Sequence, residues 1–481
     1  MNTTNSNKKL ILEPSNSLKV LISYGIGGFG NDVFYAIMST YFTMFITSQL
    51  FGPENAHWVV VLTSFMMILR ILEIFIDPMF GGIIDNTRTR IGKFKPWILI
   101  GGGICSLMLA ILFSDFFGLP TSNPMFYVVL FAITYLVMDV FYSMKDTSYW
   151  GMLSAIAIDS RQRNKIGTAA RFGSVAAQAL TMILAVPLIK FFSSTNSTQI
   201  SSEAIGDKTG WFFFGLIGTL VAFLTCIIVA VGTKEGQSKV RKSEKMSVGQ
   251  VFKTIASNDQ LMWIAIAYVL FCIGQVTTNQ LLVYFFTYIV GDASLYSVCG
   301  IINLISGFVA VALFPILAKT LGRKSLFLLC LIAMIASYFF FLITESSPVL
   351  AYIGCIFFMF PYPILFLCVM MTITDTVEYG QWKNGKRAEA TTLVIRPMCD
   401  KFGGAVSNGI AGLTAIFCGM NQGSTANTVA ANSQNLINFK ILMIVIPLIC
   451  LVVSGLIYWK KVKIDEKMHA KIIKELEARA N

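Results

Sequence analysis

Twelve mostly apolar stretches recur along this 481-residue chain, near positions 18–49, 57–86, 96–115, 125–158, 166–190, 209–232, 260–290, 295–319, 325–343, 347–380, 389–419 and 437–459. About 20 residues of α-helix, rising about 1.5 Å each, cross the ~30 Å hydrocarbon core of a bilayer. Lipid offers the backbone no hydrogen bonds, so continuous spans of this length must satisfy their own backbone as helices. The pattern predicts an all-α membrane protein with twelve transmembrane helices. Several stretches are longer than one crossing requires, which implies tilt or extension beyond the hydrocarbon. Composition agrees: the chain is 55% hydrophobic and 13% charged, where a soluble domain carries about 25% charged residues.

The charge distribution sets the topology. Lys and Arg gather in the turns RTRIGKFK (88–95), RQRNK (161–165), KEGQSKVRKSEK (234–245), KTLGRK (319–324) and KNGKR (383–387), and in the tail from Lys460 to Asn481. The alternate turns contain none, apart from Lys208. By the positive-inside rule both termini are expected in the cytoplasm, with the protein in a bacterial inner membrane. The net charge of +12 is thus a topology signal, and nucleic acid is not an expected partner. The longest basic turn divides the chain into an N-terminal half (1–232), a cytoplasmic middle loop (233–258), a C-terminal half (259–460) and a cytoplasmic tail (461–481). RIGKFK after span two is echoed by TLGRKS after span eight, Gly92 against Gly322. Twelve helices in two six-helix halves is the plan of a major-facilitator carrier, whose site lies at midplane between the halves.

Ionisable residues inside the spans are costly, by roughly 2.5–3.5 kcal/mol each on insertion scales, so they are expected to face a partner or a watery cavity. Span one holds Asp32. Span two holds Arg70, Glu73 and Asp77, spaced i, i+3, i+7 on one helix face. Span four carries Asp139, Ser143, Asp146 and Trp150 at spacings of +4, +3 and +4, which also share a face. Lys145 points about 100° away from Asp146. Arg171 lies one turn inside span five. The C-terminal half has Gln275, Thr278 and Asn279, the pair Asp375 and Glu378 near the end of span ten, and Arg396, Asp400 and Lys401 in span eleven. The N-terminal half holds more mid-span carboxylates than Arg70 and Arg171 neutralise, so a cation is wanted there. Clustered carboxylates with a hydroxyl suit Na⁺ and equally suit a proton, because like charges raise one another's pKa.

Other signals are weaker. Gly25-Ile26-Gly27-Gly28-Phe29-Gly30 satisfies a dinucleotide-binding fingerprint, but it lies in a membrane span with no strand before it, where small residues serve close helix approach. The ten cysteines are scattered without a C-x-x-C pair and read as small buried hydrophobes. With only His57 and His469 and no nucleophile-base grouping, an enzyme is not expected. The polar start, MNTTNSNKKLILEPSNSLK, predicts no cleavable signal peptide. The tail KIDEKMHAKIIKELEARA fits either a short amphipathic helix or a solvated end.

The runs YGIGGFGND (24–32), RILEIFIDP (70–78), NTRTRIGKFKPWILIG (86–101), YSMKDTSYW (142–150), DSRQRNK with ARFG (159–173), DTVEYGQWKNGKRAEA (375–390) and DKFGGA (400–405) resemble the glycoside-pentoside-hexuronide:cation symporter family, which includes melibiose carriers and lactose and raffinose permeases. The resemblance implies a major-facilitator fold and cation-coupled uptake of a sugar. Carried onto matching positions, it makes Glu73, Asp77, Ser143 and Asp146 cation-site candidates, with Glu73, Asp77 and Asp146 the ligands if the ion is Na⁺. Asp32, Asp146, Trp150 and Arg171 become sugar-site candidates. Lys401 matches a lysine close to the family's cation site, and Glu378 matches an acid associated with coupling in the lactose permeases. Glu73 stands where the melibiose carriers have aspartate, Ser143 where they have threonine, and Lys145 precedes Asp146. The Lys-Asp pair and the Gly-Gln-Trp-Lys run are more similar to the lactose and raffinose branch, so H⁺ is favoured over Na⁺. Only the tail follows span twelve, and no phosphotransferase-like regulatory domain is expected.

These readings combine into a symporter for a galactoside or related oligosaccharide. Its partners are the sugar, the coupling cation and the lipid bilayer, and it needs no cofactor beyond that ion. In the expected mechanism the cation occupies Glu73, Asp77 and Asp146, completes the sugar site through the shared Asp146, and the halves rock about it. The basic turn 88–95 is expected to rest against the other half as an inner gate. The rival cargo is a lysolipid or other amphiphile, against which Trp150 and Arg171 argue. A sensor or channel without coupling is the rival of another class, and the carboxylates count against it.

Overall fold

The computed structural model describes residues 18–51, 55–116, 118–156, 160–193, 205–235, 256–344, 347–385, 389–420 and 433–480, and these are helical with no strand among them. Numbered in chain order, α1 is Leu18–Ala36, continued through two π turns to Leu50. The N-terminal half adds α2 (Ala56–Asn86), α3 (Lys95–Leu112), α4 (Pro124–Ile156), α5 (Ser160–Phe192) and α6 (Lys208–Gly232). The C-terminal half holds α7 (Asp259–Phe285), α8 (Tyr296–Leu321), α9 (Arg323–Ile343), α10 (Pro348–Asn384), α11 (Glu389–Phe417) and α12 (Ser433–Lys461). A thirteenth helix, α13 (Glu466–Ala480), forms the tail. Among the described residues, nine helices are apolar and long enough to cross a membrane by composition alone. The middle loop from 236 to 255 lies outside the described residues.

Each half is packed around its first helix. In the N-terminal half α1 lies against α5 and α6. The glycine run of α1 makes that contact: a Cβ on Gly28 would overlap the Ala170 carbonyl, and one on Gly173 would overlap the Gly25 carbonyl. Backbone on backbone is the closest approach two helices can make, and it leaves no room for a side chain. The fingerprint-like glycines are therefore a packing device. The halves meet along two seams, α2 against α11 and α5 against α8. Adding or subtracting six exchanges these two pairs, as duplication of a six-helix unit requires.

The duplication extends to details at the end of the molecule that carries the basic turns. Gly92 and Gly322 both have positive φ, +118° and +74°, which an L side chain adopts only with strain. Each turns the chain into the next helix, and in each half a carboxylate from beyond the sixth helix accepts that helix's unpaired N–H groups. Glu235 accepts from the backbone of Lys93 (2.8 Å) and Lys95 (2.9 Å). Glu466 accepts from the backbone of Arg323 at 2.8 Å. The neighbouring lysines repeat the pattern: Lys95 Nζ donates to the Thr233 carbonyl at 2.6 Å, and Lys324 Nζ donates to the Val462 carbonyl at 2.7 Å. The basic turn 88–95, expected to rest against the other half, thus has its described anchors in its own half.

The tail helix is docked. Ile464 and Ile472 pack with Tyr379 of α10, flanked by Trp382, Met468 and Leu476. Trp382 Nε1 donates to Glu475 at 2.6 Å, and Arg323 Nε donates to Glu466 at 2.9 Å. Burial opposes ionisation of Glu466, but the Arg323 N–H, the helix's own N–H and the Arg323 guanidinium outweigh it and hold the carboxylate below its usual range. A depressed carboxylate stabilises the docked form above its ordinary pKa and ceases to do so as pH falls through the depressed value. Spin-label distances between α13 and α9 are therefore expected to lengthen under acid, and Glu466→Gln is expected to lengthen them at neutral pH. A distance insensitive to both changes would refute this account of docking.

Candidate functional site

The site is assembled from α1, α2, α4 and α5 on one side and α10, α11 and α7 on the other. Its first element is an aromatic lock between α1 and α4. Tyr24 and Tyr149 stack with centroids 4.5 Å apart and exchange hydroxyl-to-carbonyl hydrogen bonds of 2.5 and 2.7 Å. The next residue, Trp150, meets Tyr149 edge-on at 5.2 Å and takes the Arg171 guanidinium over its own ring at 4.9 Å. A guanidinium over an indole is held by the ring quadrupole, by about 0.5–2 kcal/mol depending on solvation. Asp32 on α1 faces Ser174 and Arg171 of α5, with Asp146 and Lys145 in electrostatic reach. Asp146 accepts from Asn31 Nδ2 at 2.7 Å. Asp32, Asp146, Trp150 and Arg171 thus come together as one group.

The stripe on α4 continues one turn on. Ser143, fully buried, accepts from Lys401 Nζ at 3.2 Å, and the same ammonium lies 3.3 Å from Glu73 Oε1. Glu73 is 8% exposed and Lys401 23% exposed in their side chains, so this is a largely buried ion pair and not a screened surface one. It joins α2 and α4 of one half to α11 of the other. Beside it Arg70 is buried, donating to the Tyr135 hydroxyl at 3.3 Å and lying 3.1 Å from Met38 Sδ. Asp139 and Glu73 are within its electrostatic reach. Lys145 turns away from Asp146, its ammonium 4.9 Å from the Phe34 ring and 5.0 Å from the Tyr142 ring.

The side chain of Asp77 lies outside the described residues. Glu378 lies with the tail cluster, where His469 Nε2 is 3.7 Å from both Glu378 Oε2 and Asp375 Oδ1. Asp375 also pairs with Arg323 at 2.5 Å. Glu73 faces Lys401, while Asp146 faces Asn31 one turn away. Among the described residues no three acidic, His or Cys side chains converge tightly enough to hold a metal ion. Sequence reading passed over Asn31 and Phe366; the only cue for Asn31 was its place beside Asp32.

The remaining wall belongs to the C-terminal half. Arg396 Nη1 donates to Asp400 Oδ2 at 2.6 Å, and the Tyr268 hydroxyl donates to Asp400 Oδ1 at 2.6 Å. Phe366 of α10 has the guanidinium carbons of Arg171 and Arg396 each 5.6 Å from its ring centre. The α2/α11 seam is traced by Thr63 at Gly412, Met67 at Gly409 and Glu73 at Lys401. At the end away from the basic turns, Thr47 bonds Tyr284 at 2.7 Å and Lys190 bonds Ser294 at 2.8 Å, which closes the halves there. Arg171 and Pro397 are exposed.

Comparison with known proteins bears on the family and the fold. The family model described as MFS/sugar transport protein matches residues 23–466. A lactose permease of Lactobacillus delbrueckii subsp. bulgaricus is 44% identical over 95% of this chain and 72% of its own length. A raffinose carrier protein of Pediococcus pentosaceus is 42% identical over 94% of this chain and 70% of its own length. An isoprimeverose transporter of Lactiplantibacillus pentosus is 25% identical over 93% and 90%. In fold, the chain is similar to a D-xylose-proton symporter, with TM-score 0.61 at 14% identity over 92% of this chain and 97% of that one. It is also similar to the nucleoside transporter NupG, with TM-score 0.60 at 13% identity over 92% and 99%.

Proposed function

The chain belongs to the MFS/sugar transport protein family, and from that premise we propose that it imports a galactoside or related oligosaccharide in symport with H⁺ by alternating access. It is a multi-pass membrane transporter of that family and not an enzyme. The observation that carries the proposal is the adjacency of two different sites on α4. At one end, Asp32, Asp146 and Arg171 offer hydroxyl-binding groups beside an indole, the mixture that small polar ligands with an apolar face require. One turn away, Glu73 and Ser143 hold the Lys401 ammonium across the seam between the halves.

With the basic end in the cytoplasm, the arrangement described above is the inward-facing state, closed at the outer end by Thr47–Tyr284 and Lys190–Ser294. The coupling step follows from charge. Lys401 fills the position a coupling cation would take, so an arriving proton on Glu73 removes a charge that holds Lys401 and loosens the seam. A proton does this without needing a coordination shell, which supports H⁺ over Na⁺. Asp146, hydrogen-bonded to Asn31 beside Asp32, transmits the change to the sugar. The amphiphile reading has less support, since the relatives above are named for lactose, raffinose and isoprimeverose.

The test is uptake of a sugar panel into proteoliposomes with the membrane potential clamped, under an imposed pH gradient or an imposed Na⁺ gradient. A galactoside is expected to accumulate under the pH gradient alone. Accumulation that requires Na⁺ would overturn the proton assignment, and absence of concentrative sugar uptake under either gradient would overturn the symport reading.

A further inference from the structure

The mechanism above leaves the Arg396–Asp400 pair unused. It lies on α11, with Asp400 immediately before Lys401 and Arg396 one turn before Asp400: the Arg396 and Asp400 side chains are 21% and 36% exposed, and Asp400 is fixed by the buried Tyr268 at 2.6 Å. One guanidinium nitrogen is occupied by Asp400, and the rest of its donor fork has no partner among the described residues. Arg171, from the opposite half, is in the same condition: its described contacts are with two rings and with the charge of Asp32. Both guanidiniums lie against the ring of Phe366. Because both guanidinium carbons are 5.6 Å from that one ring, they lie within twice that distance of one another, so a ligand of two linked pyranose rings can reach both.

We propose that Arg396 and Asp400, braced by Tyr268 and linked to Arg171 through Phe366, form the recognition pair for the second ring of a disaccharide. The first ring lies on Trp150 with Asp32, Asp146 and Arg171. The second lies on the C-terminal half, where Arg396 donates to its hydroxyls and Asp400 accepts from them. Phe366 is a positioning residue that holds both guanidiniums against one ring. A two-ring glycoside then bridges the halves, and a single ring engages only one. This deepens the sugar reading given above and rests on it.

The experiment compares half-saturating concentrations of lactose and of methyl β-galactoside for purified wild type, the double variant Arg396→Gln/Asp400→Asn and the single variant Tyr268→Phe. The double variant removes both charges together and leaves neither unpaired. A charged group's hydrogen bond is worth about 1.5–3 kcal/mol, so the lactose-to-methyl-galactoside affinity ratio is expected to fall roughly tenfold or more in the double variant. A smaller fall in the same direction is expected in Tyr268→Phe, which supplies the answer if the double variant does not fold. Equal losses for both sugars, or no loss for either, would overturn the assignment while leaving the sugar reading intact. A wild type that binds neither probe would overturn the sugar reading, and this assignment with it.

Discussion

Glu73→Gln is expected to abolish accumulation driven by a pH gradient while sugar still equilibrates across the membrane. Removing one partner of a buried ion pair outright costs roughly 3–5 kcal/mol, because the remaining charge is left uncompensated. Glutamine keeps the shape and a carbonyl acceptor for Lys401, so it avoids much of that loss and isolates the titratable proton. Without that proton the Glu73–Lys401 contact across the α2/α11 seam has no titratable carboxylate to switch, and the steady-state accumulation ratio should fall to about one, since a site that no longer distinguishes two states couples nothing. The measurement is uptake under an imposed pH gradient beside counterflow, which needs no coupling. A variant that still concentrates sugar would sink the assignment of Glu73 as the coupling group. Adding Lys401→Met to it should recover stability without recovering coupling, because the ammonium that lost the Glu73 carboxylate is then gone.

The fold was legible because lipid allows so few solutions. Twelve apolar stretches and the alternation of basic turns already set helix number and the division into halves. The glycine run of α1 was legible as packing for the same reason, and Gly28 against Ala170 bears that out. The candidate site was half legible. A charge inside a membrane helix announces itself, so Asp32, Glu73, Asp146 and Arg171 stand out by residue type and position alone. What a sequence does not carry is which of them meet. Glu73 faces a lysine from the other half and not Asp146 (3.3 Å to Lys401), a contact fixed by how two halves dock and by no local pattern. The same holds for Glu378. Its place near the end of α10 was readable, but its neighbour His469 comes from a tail helix that packs on α10 through Ile472 and Tyr379. Asn31 and Phe366 gave little signal, because an amide beside an aspartate and an aromatic in an apolar span are ordinary.

Asp146→Asn should produce the combined defect that separates it from its neighbours. The residue sits one turn from Ser143, and so from Lys401, and its carboxylate accepts from Asn31 at 2.7 Å, which places Asp32 beside it. Loss of its charge weakens a charge-assisted hydrogen bond and removes an acceptor from the sugar, about 1.5–3 kcal/mol, or roughly ten- to hundredfold in sugar affinity. It also removes the negative charge nearest to the Ser143–Lys401 contact along α4, so pH-driven accumulation should fall in the same variant. Trp150→Ala, which removes the platform but no charge, should raise the half-saturating sugar concentration and leave the accumulated sugar, measured at saturating concentration, dependent on the pH gradient. Glu73→Gln should do the reverse. If Asp146 is the link between the two sites, its variant fails both assays; a variant that failed only one would place Asp146 wholly in the sugar site or wholly in the cation site, and the coupling path would have to run through Asn31 and Asp32 without it.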